Sequence, residues 1–248
     1  MKKTPALRQL KASFELFHEN LTDALAFKLD LPKSIIYLEM ENDSARINLL
    51  AGGFDKEVTE QEYKKKKITT KKYPTIIYTM SVIYMLAIFE ALLMDCYGLL
   101  SRFYIKNLIS SKKQLTYEEV ISRSDLEDLH DFIIEKELMA FSFKNIADQL
   151  ESIQLTFKLN FSYKRKSGVR NNWNLNKISD LSEMFSTRNI VLHNNGLVNA
   201  KYLIDNPQSK LKIGDRRKID RSYALDVFGA VLRTGDSLYA IIKKKIGK

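Results

Sequence analysis

"SVIYMLAIFEALLMDCYGLL", residues 81–100, is the stretch on which the fold turns. At about 20 residues it is long enough to span a bilayer as a helix. Glu90 and Asp95 lie inside it, however, and charges near the middle of a lipid-facing helix are costly. The better assignment is the buried core helix of a globular protein with no membrane partner. Upstream of it, "EYKKKKITTKK" (62–72) is polar and lysine-rich, which suggests a mobile segment or solvated connector. Pro74 then opens the apolar block, so a soft boundary falls near residue 72.

Further out, "ALRQLKASFELFHENLTDALAF" sets Leu7, Leu10, Phe14, Phe17, Leu21 and Ala24 at alternating spacings of three and four, one apolar stripe on a helix. Pro32 breaks that pattern, and the segment behind it is ambiguous up to the turn at Gly52-Gly53. Downstream, "SDLEDLHDFIIEKELMAF" reads as a helix capped by Ser124 or Asp125, and "FKNIADQLESIQLTF" continues the helical period. "KLNFSYKRKSGVRNNWNLN" is irregular, with a turn at Gly168. "NKISDLSEMFSTRNIVLHNNG" is a helix capped by Asn174 or Asn176 and stopped by Asn195-Gly196. A loop through Asn206-Pro207 and Gly214 leads to a last amphipathic helix from about Asp220. The expected fold is all-α: residues 1–72 as a helical extension with a basic connector, and 73–248 as a helical bundle.

Nine glycines and four prolines in 248 residues favour long elements over a turn-dense β fold. A formal charge of +10 favours polyanionic partners, nucleic acid ahead of anionic membrane. The single cysteine, Cys96, excludes an intrachain disulfide framework and suits a reducing cytoplasm. Arg8, Lys11 and Glu15 interrupt what would be the apolar part of a secretion signal. No HExxH, CxxC, GxSxG or Walker-type loop is present.

"TRNIVLHNNG" (187–196) crowds an arginine, three asparagines and one of only three histidines around the end of a helix. At about 100° per residue, Asn189 and His193 share one face, whereas Arg188 and His193 stand about 140° apart and flank a groove. Two such helix ends meeting across a two-fold axis would converge two histidines and two arginines on one phosphate. The residue types suit RNA cleavage without a metal or cofactor. An imidazole titrates near neutral pH and moves protons. A guanidinium offers forked donors to charge growing on phosphorus, and asparagine orients either group. The bland alternative is a polar helix stop with a histidine favoured by the dipole.

"RNIVLHNNGLVNAKYL" (188–203) resembles the signature helix of the HEPN superfamily (higher eukaryote and prokaryote nucleotide-binding domains), in which Arg and a polar residue precede His. Arg188, Asn189 and His193 match that signature, and Asn194, Gly196, Val198 and Tyr202 look like bacterial stand-alone members from defence and toxin loci. The "FEALLMD" centre of the apolar helix and Trp173 agree, so the resemblance covers roughly residues 75–248. It implies an α-helical bundle, a symmetric homodimer with a composite site, and metal-independent endoribonuclease activity on RNA. A cognate antitoxin or regulatory protein is a further implied partner. Some HEPN domains are inactive, which leaves a non-catalytic RNA- or protein-binding module as the alternative. The tyrosine found two residues after His in some HEPN toxins is replaced here by Asn195.

Several residues have more than one reading. Glu90 is either a core carboxylate or a group reaching the Arg188/His193 groove, and Asn194 is a further accessory residue. Lys164, Arg165 and Lys166 are the lysine/arginine run nearest the signature helix and the expected RNA-guiding surface. Glu15-x-x-His18 and Glu127-x-x-His130, with Glu90 and Glu183, suggest a di-iron bundle, but both glutamates of the pairs fall off the inward helix faces.

Overall fold

The computed structural model describes residues 3–51, 56–108, 114–161, 163–164, 170–171 and 175–247. Its elements run α1 (Lys3–Ala51), α2 (Lys56–Phe103), a 3-10 turn (Ile105–Asn107), α3 (Tyr117–Ile121), α4 (Leu126–Ser142) and α5 (Ile146–Thr156). A two-rung ladder of β1 (Tyr163–Lys164) and β2 (Arg170–Asn171) follows, then α6 (Leu175–Asn194), α7 (Ala200–Asp205) and α8 (Arg221–Gly247). The fold is all-α apart from that small antiparallel ladder, which falls in the stretch read as irregular.

The 81–100 segment is the core helix. Val82, Met85, Leu86, Phe89, Leu93 and Leu100 are buried at helical spacing on one side of α2, while Tyr84, Ala87, Ala91 and Asp95 stay exposed on the other. Each buried large apolar side chain contributes about 1.5–3 kcal/mol. By length and composition alone, Tyr73–Phe103 would also serve as a membrane span. The stripe of α1 faces this side: Leu10, Phe14, Phe17 and Leu21 are buried in the same cluster, and so are Val227, Val231 and Leu238 of α8. The first helix is thus built into the bundle core.

Helices α1 and α2 lie side by side along much of their length, each about 70 Å long at 1.5 Å per residue. α8 runs antiparallel to α1, with Phe14 against Tyr239 (centroids 4.8 Å) and His18 Nε2 3.0 Å from Asp236 Oδ1. Gly235 makes room for the Phe17 ring between them. By that register α8 begins about level with residue 33 of α1, so the outer halves of α1 and α2 continue beyond it as a paired arm, tied by the Tyr63–Asp43 hydrogen bond.

This arm departs from the sequence reading in two places. α1 continues through Pro32, and the lysine-rich 62–72 stretch, expected as a connector, is helical and forms part of α2. Lysine is a good helix former, and the long contact between the two helices outweighs one proline in each. Residues 52–55, with the Gly52-Gly53 turn, lie outside the described residues. The expected run from α4 into α5 is interrupted at Asn145, whose side chain accepts from the Asp148 amide at 2.9 Å and starts a separate helix. Asp125, one of the two expected caps, accepts from the Glu127 and Asp128 amides at 2.9 Å each.

Candidate functional site at the end of α6

The last turn of α6 ends as its sequence dictates. Asn195 (φ 51°) and Gly196 (φ 74°) both take left-handed backbone, and the Gly196 amide donates to Ile190 O at 2.9 Å. Asn194 Nδ2 donates to Leu197 O at 2.6 Å, so the expected accessory residue is a structural clip at the helix stop. The chain then pairs with itself: Val198 donates to Asp215 O, Gly214 to Val198 O and Arg217 to Gly196 O, each at 2.9 Å. These bonds close the 199–213 loop around α7. Ile190, Val198 and Tyr202 form a second small core beneath it.

A polar cleft of about 340 Å³ opens between α6 and α7. Asn189 and His193 line it from α6, as their shared face predicts, and Asn199, Lys201 and Asp205 face them. His193 is exposed and has no hydrogen-bond partner among the described residues. Arg188 points elsewhere. Its guanidinium, 17 % exposed, pairs with Glu90 of α2 through Nη1, with Nη2 3.4 Å from the second carboxylate oxygen. It also lies 5.0 Å from the Phe185 ring centroid. Arg188 Nη2 is 3.4 Å from Asn189 Oδ1, so Asn189 is the link between the guanidinium and the His193 cleft. Arg188 Nε is buried and without a partner among the described residues.

Glu183, one turn earlier, organises the other side. Its Oε1 accepts from Thr187 Oγ1 (2.8 Å), Tyr202 OH (2.7 Å) and Arg217 Nε (3.1 Å), and its Oε2 from Tyr223 OH (2.9 Å). One carboxylate thereby ties α6 to α7, the loop and α8. Burial first, and then Glu183, raise both the Tyr202 and Tyr223 hydroxyls from their usual value, Tyr223 strongly. Burial alone would lower the Arg217 guanidinium; Glu183, with the two tyrosines, outweighs it and raises it. A second cleft of about 420 Å³ lies on this side and shares Tyr202 and Asp205 with the first.

The structure therefore brings Asn189, His193 and Asn194 together at one cleft and joins Arg188 to Glu90 beside it. Of the two readings of Glu90, it reaches the Arg188 side and contacts the guanidinium directly. Lys164 lies in β1 with its side chain undescribed, and Arg165, Lys166 and Trp173 lie outside the described residues. Lys201 and Arg217 were missed by the sequence reading. Their signal was the basic cluster from Lys201 to Arg221, which no spacing rule ties to His193 until the loop closes. The Glu-x-x-His pairs do not converge: Glu15 is 3.2 Å from Lys11, His18 pairs with Asp236, and Glu90 and Glu183 are held by arginines. Among the described residues no group of three His, Cys, Asp or Glu side chains is placed to hold a metal ion.

No protein-family model, curated protein or solved structure matches this chain.

Proposed function

We propose that the chain is an HEPN-like, metal-independent endoribonuclease, acting as a cytoplasmic homodimer in a toxin or phage-defence (abortive infection) system. The observation that carries this reading is a free, exposed imidazole in a polar cleft, with a guanidinium held by Glu90 on another face of the same helix. Glu90 holds Arg188 through Nη1, with Nη2 3.4 Å from its second oxygen, so the guanidinium is already an anion-binding fork. A phosphate oxygen is the other anion its chemistry favours.

In the reaction, the 2′-oxygen attacks phosphorus and the bond from phosphorus to the 5′-oxygen breaks. The products are a 2′,3′-cyclic phosphate and a 5′-hydroxyl. One His193 takes the 2′-hydroxyl proton, and its copy from the second protomer gives a proton to the leaving oxygen. Arg188 stabilises the charge on the equatorial oxygens, Asn189 holds both groups in register, and Glu90 positions Arg188. The dimer answers the geometry within one chain, where Arg188 and His193 face different sides of α6.

A second reading has its own support. Glu90 neutralises Arg188, which suits a non-catalytic RNA- or protein-binding module as well as a resting nuclease. One experiment separates them: incubate RNA in EDTA with wild type, Arg188→Ala, His193→Ala and an equimolar refolded mixture of the two variants. The nuclease reading expects cleavage by wild type, none by either variant, and none in the mixture, where no dimer holds both His193 copies together with an Arg188. RNA bound but left intact by wild type establishes the binding module instead.

A further inference from the structure

The 420 Å³ cleft is not used by the proposed chemistry, yet it shares the Tyr202–Asp205 wall with the His193 cleft. Its size lies within the range of pockets that hold small organic ligands. Its lining offers three acceptors, the carboxylates of Asp180 and Asp205, both exposed, and the side chain of Asn206, beside Arg217, whose guanidinium is held by Glu183. Asn206 is only 8 % exposed, and its Nδ2 donates to Tyr202 O at 2.8 Å. That bond fixes the amide, and its Oδ1 takes no hydrogen bond among the described residues. Glu183 also lines the cleft, but its oxygens are already occupied by Tyr202, Arg217, Thr187 and Tyr223. Lys210 supplies a cation at the rim.

We infer that this cleft receives a guanine base, that of a nucleotide adjoining the cleaved phosphate, and so sets the sequence preference of the enzyme. This rests on the ribonuclease reading. Guanine carries two adjacent donors, N1–H and the 2-amino group, which meet a carboxylate in bidentate fashion. Its O6 and N7 acceptors lie on the next edge, where a lysine or arginine is the common partner. Uracil offers one donor between two carbonyls, and adenine and cytosine each place an acceptor nitrogen beside the amino group. Three acceptors with Lys210, the cation not committed to Glu183, select guanine among the four. Lys201, at the neighbouring cleft, lies where the linking backbone passes.

The test uses full-length His193→Ala protein, to keep RNA intact, and fluorescence anisotropy with uridine octamers carrying one central guanosine, inosine or adenosine. Inosine differs from guanosine only by the missing 2-amino group. The guanosine octamer is expected to bind about 10-fold more tightly than the inosine one, in the lower part of the range for a bidentate contact because inosine keeps N1–H. Adding Asp180→Asn is expected to shrink that ratio to less than about 2-fold. Asp180 is exposed and bonded to nothing in the described chain, so the substitution leaves folding intact. Equal affinity for the two octamers, or an unchanged ratio in the Asp180→Asn protein, overturns the inference. Free GMP binding as tightly as the guanosine octamer also overturns it, since the cleft would then be a mononucleotide site. The same octamers with wild type keep the two ideas apart: preference without cleavage sinks the ribonuclease reading, and cleavage without preference sinks the guanine cleft.

Discussion

Truncating Glu183 to alanine tests whether a single carboxylate holds the site's elements together. The substitution leaves Thr187, Tyr202, Tyr223 and Arg217 without their common acceptor. The Thr187 hydroxyl can turn to the carbonyl one turn back in α6, so it adds little. Arg217 is about a quarter exposed and rehydrates, which keeps its ion-pair loss below about 1 kcal/mol. The two tyrosines dominate. Each loses a hydrogen bond to a charged group, worth about 1.5–3 kcal/mol, and Tyr202 is nearly fully buried. The expected destabilisation is therefore about 4 kcal/mol, or roughly a 10 °C fall in Tm for a chain of this size. Glu183→Gln keeps an oxygen for Tyr202, and its amide can donate to the Tyr223 hydroxyl, so its cost stays at about 1–2 kcal/mol. Urea unfolding followed by circular dichroism gives both numbers. Limited proteolysis should show a new cut within 199–213 in the alanine variant only, because Tyr202 is the tether of α7. A loss below about 1 kcal/mol, or equal losses for alanine and glutamine, would refute the reasoning.

Gly235→Ala would place a Cβ 2.6 and 2.8 Å from two Phe17 ring carbons, and that ring is confined by Phe14; a cost of about 2–3 kcal/mol in thermal melts is expected, and wild-type stability would contradict the α1–α8 contact. Pro74→Ala restores a backbone donor inside α2 and should stabilise the chain by about 1–3 kcal/mol in urea titrations; a loss of stability would contradict an unbroken helix through residue 74. Tyr223 has a raised folded-state pKa, so its neutral-form contribution is complete below about pH 10 and is lost as pH rises from there. Urea midpoints measured from about pH 8 to about pH 11 should fall for wild type, and Tyr223→Phe should flatten that fall by about one proton.

What the sequence made legible follows from the range of the interactions involved. The Val82–Leu100 stripe and the Leu10–Leu21 stripe are periodic, and periodicity reads out which face is buried without knowing what covers it. The Asn195-Gly196 stop is equally local, because left-handed backbone is a property of the residue itself. The arm was misread for the opposite reason. Pro32 and the lysines of 62–72 carry local signals against a continuous helix or a packed one, and only a neighbour some 40 residues away in sequence overrides them. Glu183 shows the same limit. It was nominated only as a carboxylate to complete the two Glu-x-x-His pairs, but its role depends on Tyr202, Arg217 and Tyr223, which arrive from three later segments. Hydrogen bonds of that reach leave no spacing pattern.

The Arg188–His193 spacing gains its meaning from this distinction. Five residues along one helix fix an angle of about 140°, and no local adjustment brings both side chains to the same cleft. α6 cannot rotate to compromise: Leu181 and Phe185 hold it against the main core, Ile190 against the small one, and Glu183 pins its middle. Arg188 is therefore committed to the α2 side with Glu90, and His193 to the α7 side with Lys201. Within one chain the only bridge is the 3.4 Å approach of Arg188 to Asn189, too long for a strong hydrogen bond. A phosphate contacted by both groups must then lie astride the end of α6, where a second copy related by a two-fold axis would present the same pair in reverse order. The rigidity that separates the residues in one chain is what would make their convergence between two chains reproducible.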